Sequence, residues 1–314
     1  MGWPTAIFSA LISQRYILTM LRYCTPARLA CAAALGLAAT CVLALWPPNV
    51  DKLARQNPGS TAYMRLGDAE SATAGPARIT RWTRLDRISP LLVCAVLKAE
   101  DRTFFRHGGF EWAQLRKAAS RALSGGPVMG GSTITQQTAR NVFLGPERSM
   151  RRKVKEAVIA KRLEQRLGKE RILEIYLNTI EWGDGVWGVD AASRHYLGEP
   201  PSSSGAFEAT FLASLIAAPR RSLHGGYGSR AERVQRRTLE QLYRSGLIGA
   251  AERWAATEQA GRLHDALRRG VSLRAALADA RSGAPELHDD GMGAAIPAAH
   301  AVAEGCGLAR ELGE

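Results

Sequence analysis

Two neighbouring carboxylates lie where an apolar segment of the chain gives way to a polar one. Glu100 and Asp101 directly follow an apolar helix candidate that begins at Pro90. A carboxylate at the mouth of an apolar helix is partly desolvated, which raises its pKa and suits it to general acid or base chemistry. Phe104 and His107 follow at short spacing, and their rings can hold such a carboxylate in place. Taken alone, the pattern fits a solvated helix end as well.

A second carboxylate lies inside a cluster of cations. Glu156 follows the basic residues and precedes the apolar stretch from Ala157 to Ala160, so it lies where a charged segment meets an apolar stripe. The cluster suits a substrate that carries phosphate, because Arg binds phosphate in a bidentate manner and fixed cations offset the charge of a leaving group. A solvated helix face is the alternative. The basic residues are Arg148, Arg151, Arg152, Lys153 and Lys155.

A glycine-rich stretch separates the two carboxylate regions. Four glycines between Gly125 and Gly131 exclude a stable helix there, so we expect a mobile loop that leads into a helix capped by Ser or Thr. The polar side chains that follow are suited to sugar hydroxyls or phosphate oxygens. A flexible connector is the alternative. The polar residues are Ser132, Thr133, Thr135, Gln136, Gln137 and Asn141.

The elements that must position these residues are mainly helical. Apolar residues recur with helical spacing, and no alternating strand pattern stands out. The segment 209–218 is apolar at nearly every position, which is typical of a helix buried on all sides. We therefore predict a mainly α domain of lysozyme-like size. The predicted helices cover residues 90–100, 154–167, 169–178, 209–218 and 230–244.

The composition restricts the class of partner. The 314 residues include 42 Lys and Arg against 29 Asp and Glu, a formal net charge of +13, with a pI near 10.0. Such a charge implies nucleic acid, an anionic membrane surface or a phosphate-bearing substrate. No aromatic-interleaved basic stripe or nucleic-acid-binding motif is present, so we predict no nucleic-acid partner.

The N-terminal region contains a candidate membrane anchor. From Leu29 to Trp46 the sequence carries no charge, which is about the minimum length for a transmembrane helix. Arg15, Arg22 and Arg28 precede this stretch, and the positive-inside rule then places the N-terminus in the cytoplasm. A cleaved signal peptide is the alternative, but its charged region would be unusually long.

These patterns divide the chain into five segments. The first three are a cytoplasmic segment over 1–28, a single transmembrane helix over 29–46 and a membrane-proximal linker over 47–79. A helical domain then covers 80–246, and an Ala-rich tail covers 247–314. The Gly, Pro and Asp-Asp breaks in the tail indicate loose order, and its role is unknown.

The five cysteines show no paired spacing, which argues against a disulfide scaffold and a zinc site. We interpret Cys24, Cys31, Cys41 and Cys94 as small buried apolar residues because they lie in or beside apolar runs. Cys306 is isolated near the C-terminus.

Four motifs and a fifth stretch, 181–196, follow one another along the chain. The four motifs are Glu100-Asp101-Arg-Thr-Phe104-Phe-Arg-His107-Gly-Gly109, Gly131-Ser132-Thr133-Ile134-Thr135-Gln136-Gln137, Arg152-Lys153-Val-Lys155-Glu156-Ala157 and Lys169-Glu-Arg-Ile172-Leu173-Glu174-Ile-Tyr176-Leu177-Asn178. They closely resemble the successive motifs of the peptidoglycan glycosyltransferases, glycosyltransferase family 51, and the fifth stretch looks most like the monofunctional, membrane-anchored branch of that family. The resemblance covers about residues 85–245, and five motifs in the family's order carry far more weight than any one of them.

The resemblance implies a lysozyme-like domain that polymerises lipid II, the undecaprenyl-pyrophosphate-linked disaccharide-peptide, into glycan strands. Glu100 would be the general base that deprotonates the GlcNAc 4-hydroxyl of the acceptor. That oxygen would attack C1 of the donor MurNAc with inversion and release undecaprenyl pyrophosphate. Glu156 would assist at the donor side. Asp101, Phe104 and His107 would support Glu100; Arg140, Arg152 and Lys153 would contact the pyrophosphate; and Ser132, Thr133, Gln136, Gln137 and Asn141 would line the site.

The resemblance also implies the cofactors, partners and location. We expect no tightly bound cofactor and no metal site built by the protein, with a divalent cation, Mg²⁺ or Mn²⁺, as an allowed addition. The expected partners are lipid II, the growing glycan strand, the membrane and other cell-wall synthases. The location would be the bacterial inner membrane, with the catalytic domain on the periplasmic side.

Two features depart from the family pattern. Position 140 carries Arg where the family usually has Lys, so the charge is kept but the group is bulkier and planar. The Ala-rich sequence past about residue 250 has no counterpart in the resemblance; it contains no Ser-x-x-Lys followed by Ser-x-Asn and Lys-Thr-Gly, so we predict no fused transpeptidase domain.

Two other functions remain as alternatives. A lysozyme-type enzyme on a similar fold would cleave glycan with Glu100 as its general acid. The cations around Glu156 argue against it, because a neutral glycan leaving group does not need them. A non-catalytic scaffold of the cell-wall machinery would bind lipid II without turnover, although both glutamates are intact.

Overall fold

The computed structural model of the chain describes residues 30–36, 48–65, 81–111, 116, 120, 124, 131–147, 149–217, 228–283 and 305–306. It divides the chain into two units, Met1–Pro47 and Pro48–Glu314. In the first unit residues 30–36 are helical, and the rest of the predicted anchor lies outside the described residues. Among the described helices, none is both long and apolar enough to cross a membrane. The glycine-rich loop at 125–130 and Arg148 also lie outside the described residues.

The second unit is mainly helical, as predicted. Single 3₁₀ turns cover Asp51–Ala54, Leu85–Arg87 and Pro201–Ser203. The longer elements, in chain order, are α1 (Pro90–Glu100), α2 (Ile134–Ala139), a π-helix (Arg140–Leu144), α3 (Met150–Arg166), α4 (Lys169–Thr179), β1 (Glu181–Gly183), β2 (Val186–Trp187), α5 (Val189–Leu197), α6 (Ala206–Ile216), α7 (Ser229–Arg244), α8 (Ala250–Arg268) and α9 (Leu273–Ser282).

Helices α1 and α6 form the centre of the core. Helix α1 begins with Pro90 at a position where the missing N–H is not needed, and its residues from Leu92 to Lys98 are all buried. Helix α6 is buried from Ala209 to Leu215, which confirms the prediction from its uniformly apolar sequence. The two helices pack against each other and against α7. This packing fixes the end of α1, where Glu100 lies.

A second group of helices surrounds α2. Thr133 and Gln136 form a capping box at the start of α2, with each side chain bonded to the backbone N–H of the other residue. Helix α3 begins after Ser149, whose hydroxyl accepts the backbone N–H of Arg152 at 3.1 Å. Helix α2 packs against both α3 and α4. It therefore lies beside the helix that carries Glu156.

A short antiparallel hairpin of β1 and β2 was not predicted from the sequence. Strands of three and two residues are too short to show an alternating pattern. Gly188 follows the hairpin with φ +83, and a Cβ there would lie 2.8 Å from the carbonyl oxygen of Asn178. Only glycine fits this turn without displacing the backbone of α4.

Residues 48–65 pack against the helices instead of forming a free linker. Val50 and Leu53 lie in the hydrophobic core. Arg171 of α4 holds the segment, since its guanidinium donates to the carbonyls of Leu53 and Gln56 at 2.8 and 3.1 Å and to Asn57 Oδ1 at 2.7 Å. Scattered Pro and Gly residues obscure these anchoring contacts in the sequence.

The expectation of a loosely ordered tail is wrong for α8 and α9. Helix α8 packs against α6 and α7, and α9 packs against α8 and α5. Arg281 of α9 forms ion pairs with Glu199 and Glu208. Alanine fits this close packing because its small side chain lets helices approach each other. An Ala-rich sequence by itself does not distinguish such packing from loosely ordered chain. The buried alanines are Ala255, Ala256, Ala260, Ala266, Ala276 and Ala280.

The interpretation of Cys94 as a simple buried apolar residue is also wrong. Cys94 in α1 forms a disulfide bond with Cys306, 212 residues later in the chain. Both cysteines are buried, whereas Cys31 is free and exposed. A pairing over this sequence separation leaves no spacing signal. The bond attaches the C-terminal region to the helix that ends in Glu100.

We expect Cys306→Ser to lower the free energy of unfolding by about 2–5 kcal/mol, because the lost bond no longer restricts a long loop in the unfolded chain. Thermal unfolding with and without a thiol reductant provides the measurement. Reductant should lower the melting temperature of the wild type to that of the variant and leave the variant unchanged. Cys31→Ser is the matched control. A wild type that melts at the same temperature in reductant would contradict the prediction.

Candidate active site

Glu100 is the last residue of α1 and is partly buried at the surface of the core. Its Oε2 accepts a hydrogen bond from Gln137 Nε2 at 2.9 Å. Burial raises the pKa of Glu100, although the Gln137 bond and the positive charges of Arg230 and Arg140 oppose the shift. The side chain therefore has the properties of a general base with a raised pKa.

Asp101 anchors the turn that follows α1. Its carboxylate accepts the backbone N–H of Ile134 at 3.0 Å and bonds His107 Nε2 at 2.9 Å. His107 Nδ1 accepts the backbone N–H of Gly109 at 3.1 Å, which leaves Nε2 as the protonated nitrogen that donates to Asp101. The pair thus attaches the residue after Glu100 to the start of α2.

Phe104 lies beneath this turn and is completely buried. The ammonium of Lys169 lies 4.5 Å from the centre of its ring and donates to the carbonyl of His107 at 2.6 Å. Glu164 accepts from the same ammonium at 2.7 Å and from the Thr135 hydroxyl at 2.6 Å. Lys169 and Glu164 therefore hold the Asp101 turn against α2, α3 and α4.

Thr133 and Gln136 use their side chains to build α2. Both are buried, and their capping box leaves the Thr133 hydroxyl to donate to the carbonyl of Gly109 at 2.8 Å. The predicted site residue Gln137, one position further along, points instead to Glu100. The structure thus brings Gln137 to the Glu100 carboxylate and places Thr133 and Gln136 in the framework around it.

Glu156 is nearly completely buried in α3 and pairs with two cations. Arg152 Nη1 lies 2.9 Å from Oε2, one helical turn away, and Lys153 Nζ contacts Oε1. Lys153 also donates to the Ser132 hydroxyl at 3.1 Å. Both carboxylate oxygens are therefore engaged, and Glu156 positions two positive groups beside the start of α2.

Arginine side chains supply further donors near these groups. The Nε atoms of Arg140 and Arg152 are buried and have no hydrogen-bond partner among the described residues. Arg140 opens the π-helix, and Asn141 beside it is buried. Irregular helix of this type is frequent at functional sites. Partly buried guanidinium groups with an unused N–H donor suit an oxyanion.

The segment 131–137 joins the two carboxylate regions. At its N-terminal end Ser132 contacts Lys153, and at its C-terminal end Gln137 contacts Glu100. One short stretch therefore bonds both Glu100 and Lys153, one of the two cations that pair with Glu156.

Tyr176 also belongs to this network. In the sequence it lies on the apolar face of a predicted helix, and that pattern did not indicate that its hydroxyl contacts the site. The residue lies in α4 and is completely buried. Its hydroxyl donates to Gln137 Oε1 at 3.1 Å, on the side of the amide opposite Glu100. Arg230, at the start of α7, was likewise absent from the predicted site, yet its charge acts on Glu100.

The donor set does not fit a metal site built by the protein. In the described part of the chain, no group of three or more His, Cys, Asp or Glu residues could hold a metal ion. Glu156, the carboxylate nearest the cationic cluster, already bonds Arg152 and Lys153 through both oxygens. A divalent cation that accompanies the substrate pyrophosphate stays a prediction.

Comparison with known proteins points to one family. Residues 69–243 match the Transglycosylase family. A biosynthetic peptidoglycan transglycosylase of Azoarcus sp. is 43% identical over 211 residues, which cover 64% of this chain and 91% of the relative. Proteins with the same name from Nitrosospira multiformis and Laribacter hongkongensis are each 44% identical over 167 residues, covering 52% of this chain and 73% of each relative.

Proposed function

Because this chain belongs to the Transglycosylase family and is a monofunctional peptidoglycan glycosyltransferase, we propose that it polymerises lipid II into glycan strands by inverting transfer. The observation that carries the proposal is the contrast between the two glutamates. Glu100 accepts one hydrogen bond from a neutral amide, whereas Glu156 pairs with two cations. The first environment suits proton transfer and the second suits a charged leaving group.

Glu100 acts as the general base in this proposal. Its carboxylate takes the proton from the 4-hydroxyl of the acceptor GlcNAc as that oxygen forms a bond to C1 of the donor MurNAc. The bond between C1 and the pyrophosphate oxygen breaks, and its electron pair leaves with undecaprenyl pyrophosphate. Attack from the face opposite the leaving group inverts the configuration at C1.

Arg152 and Lys153 bind the pyrophosphate and offset the charge that develops as it leaves. Glu156 keeps both cations in place and does not itself transfer a proton. Arg140 and Asn141 extend the same donor surface, and Ser132 positions Lys153. Thr133 and Gln136 contribute by holding α2, while Asp101, Phe104 and His107 fix the turn behind Glu100.

The location follows from the substrate and from the disulfide bond. We propose a single transmembrane helix over 29–46 that keeps the domain at 80–246 beside its lipid-linked substrate, on the periplasmic side of the inner membrane. The Cys94–Cys306 bond supports this side because disulfides persist in oxidising compartments such as the periplasm. Other cell-wall synthases stay predicted partners.

Incubation of the full-length protein, solubilised in detergent, with labelled lipid II tests the proposal, with the products separated by size. Glycan polymer and released undecaprenyl pyrophosphate are expected. Shortening of preformed glycan without polymer would instead favour the lysozyme-type enzyme. Binding of lipid II with no product would favour the scaffold. The cations around Glu156 favour the transferase over the lysozyme-type enzyme, and the raised pKa of Glu100 favours it over the scaffold.

The pH dependence of kcat/KM should report the ionisation of Glu100, the proposed general base. Because burial raises the pKa of Glu100, the acidic limb of kcat/KM should lie above the ordinary glutamate value of 4.5. The base is active when ionised, so activity is present above the raised pKa and is lost as the pH falls through it. Initial rates at constant ionic strength measure the limb. A limb at or below the ordinary value would contradict this environment for Glu100.

A further inference from the structure

Three side chains form a hydrogen-bonded chain that ends at the reactive carboxylate. The Tyr176 hydroxyl donates to Gln137 Oε1 at 3.1 Å, and Gln137 Nε2 donates to Glu100 Oε2 at 2.9 Å. Tyr176 is completely buried in α4, and Glu100 is partly buried at the end of α1. The chain therefore runs from the core of the domain outward to the site.

The direction of each bond follows from the chemistry of the groups. A carboxamide has one acceptor oxygen and one donor nitrogen, so a flipped Gln137 would turn its oxygen toward the Glu100 carboxylate. Tyr176 favours the observed orientation, in which its proton bonds the amide oxygen; in the flipped amide its oxygen would accept from Nε2 and its proton would lose this acceptor. Burial raises the pKa of Tyr176 well above its ordinary value, and the hydroxyl keeps this proton at neutral pH.

We propose that Tyr176 is a positioning residue, which orients the Gln137 amide so that it donates to Glu100 Oε2 and leaves Oε1 for the acceptor hydroxyl. The inference rests on the proposed role of Glu100 as general base. No described residue donates a hydrogen bond to Oε1. The donated bond favours the ionised carboxylate and so opposes the effect of burial on its proton affinity.

The hydroxyl has no comparable structural use. A phenylalanine would fill the same buried volume, and a buried hydroxyl is unfavourable unless it is hydrogen-bonded. The buried hydroxyls of Thr179 and Thr210 bond backbone carbonyls of their own helices. Tyr176 instead bonds a side chain of α2 that contacts the reactive group, so its hydroxyl contributes to the site.

Tyr176→Phe in the full-length protein tests this role. We expect kcat for lipid II polymerisation to fall about tenfold, the upper end of the range for one lost hydrogen bond between neutral groups, with KM within about twofold. The acidic limb of kcat should move to higher pH, because a freely turning amide stabilises the ionised carboxylate less. The other charges that act on Glu100 are Asp101, Arg140 and Arg230, and all are unchanged in the variant.

A tyrosine outside the network serves as the matched control. Tyr196→Phe removes a partly buried hydroxyl that lies 3.5 Å from the carbonyl of Trp182, and it should leave both kcat and the limb unchanged. Gln137→Ala completes the test. If Tyr176 acts through the Gln137 amide, adding Tyr176→Phe to Gln137→Ala should lower kcat no further. If Tyr176→Phe does not fold, Gln137→Leu alone must move the acidic limb of kcat to higher pH.

Three results would overturn the inference. They are an unshifted limb in Tyr176→Phe, losses that add independently in the double variant, and an unshifted limb in Gln137→Leu. An active Glu100→Gln enzyme would instead remove the general base itself, which separates failure of the proposed function from failure of this inference.

Discussion

Glu100→Gln should lower polymerisation of lipid II by about 10²–10⁴-fold, the range by which a positioned general base accelerates a reaction. The amide has the shape of the carboxylate but does not accept the acceptor's proton. Binding of the donor should persist, because the cations at Glu156 belong to another part of the site. Initial rates with labelled lipid II and a separate binding assay with the same substrate give the two measurements.

Stability distinguishes lost chemistry from lost structure in this variant. Burial raises the pKa of Glu100 in the folded state, so the folded protein binds that proton more tightly than the unfolded chain. The Glu100 carboxyl therefore lowers the free energy of unfolding least when the pH is below its pKa in the unfolded chain. It lowers that free energy fully once the pH exceeds its pKa in the folded protein. Glu100→Gln should melt no lower than wild type at neutral pH. A folded variant that retains wild-type turnover would exclude Glu100 as the base.

Lys153→Ala should lower kcat/KM for lipid II on the order of 10²-fold, because removal of one fixed donor from a developing charge has effects of this size. The substitution also removes the hydrogen bond that the Lys153 ammonium donates to the Ser132 hydroxyl. Arg152 is then the cation that still pairs with Glu156. Steady-state rates over a range of lipid II concentrations give the measurement.

Lys155→Ala is the matched control for this effect. It removes the same charge from the same helix, but Lys155 has no described bond to Glu156 or Ser132. A general effect of net charge on lipid binding would lower both variants equally. Equal losses, or an unchanged Lys153→Ala enzyme, would assign the cluster to a solvated helix face.

The sequence predicted the parts of the fold in which local signals agree. Proline at the first position, an uninterrupted apolar run and two terminal acids define α1, and its observed bounds match the prediction. Helices α4 and α7 match theirs within about one residue. Asp101 and His107, which were predicted to support Glu100, bond each other beside it, and their role in the site stays a prediction.

Other features were hidden because their signals are long-range or ambiguous. Tyr176 satisfies the apolar stripe of α4, so nothing in the pattern marks its hydroxyl as part of the site. Alanine in α8 and α9 occurs in both close-packed helices and loosely ordered chain. The partner of Cys94 lies too far along the chain for any spacing rule to find.

The bond between Cys94 and Cys306 makes the chain between them a closed covalent ring. A single peptide-bond cleavage within the ring opens it but leaves one molecule, whose two pieces separate only after reduction. The bond also joins segments that the ribosome makes at different times. The helix that ends in Glu100 is made first, and its covalent partner emerges more than two hundred residues later. Ring closure therefore marks a chain that has been completed through Cys306.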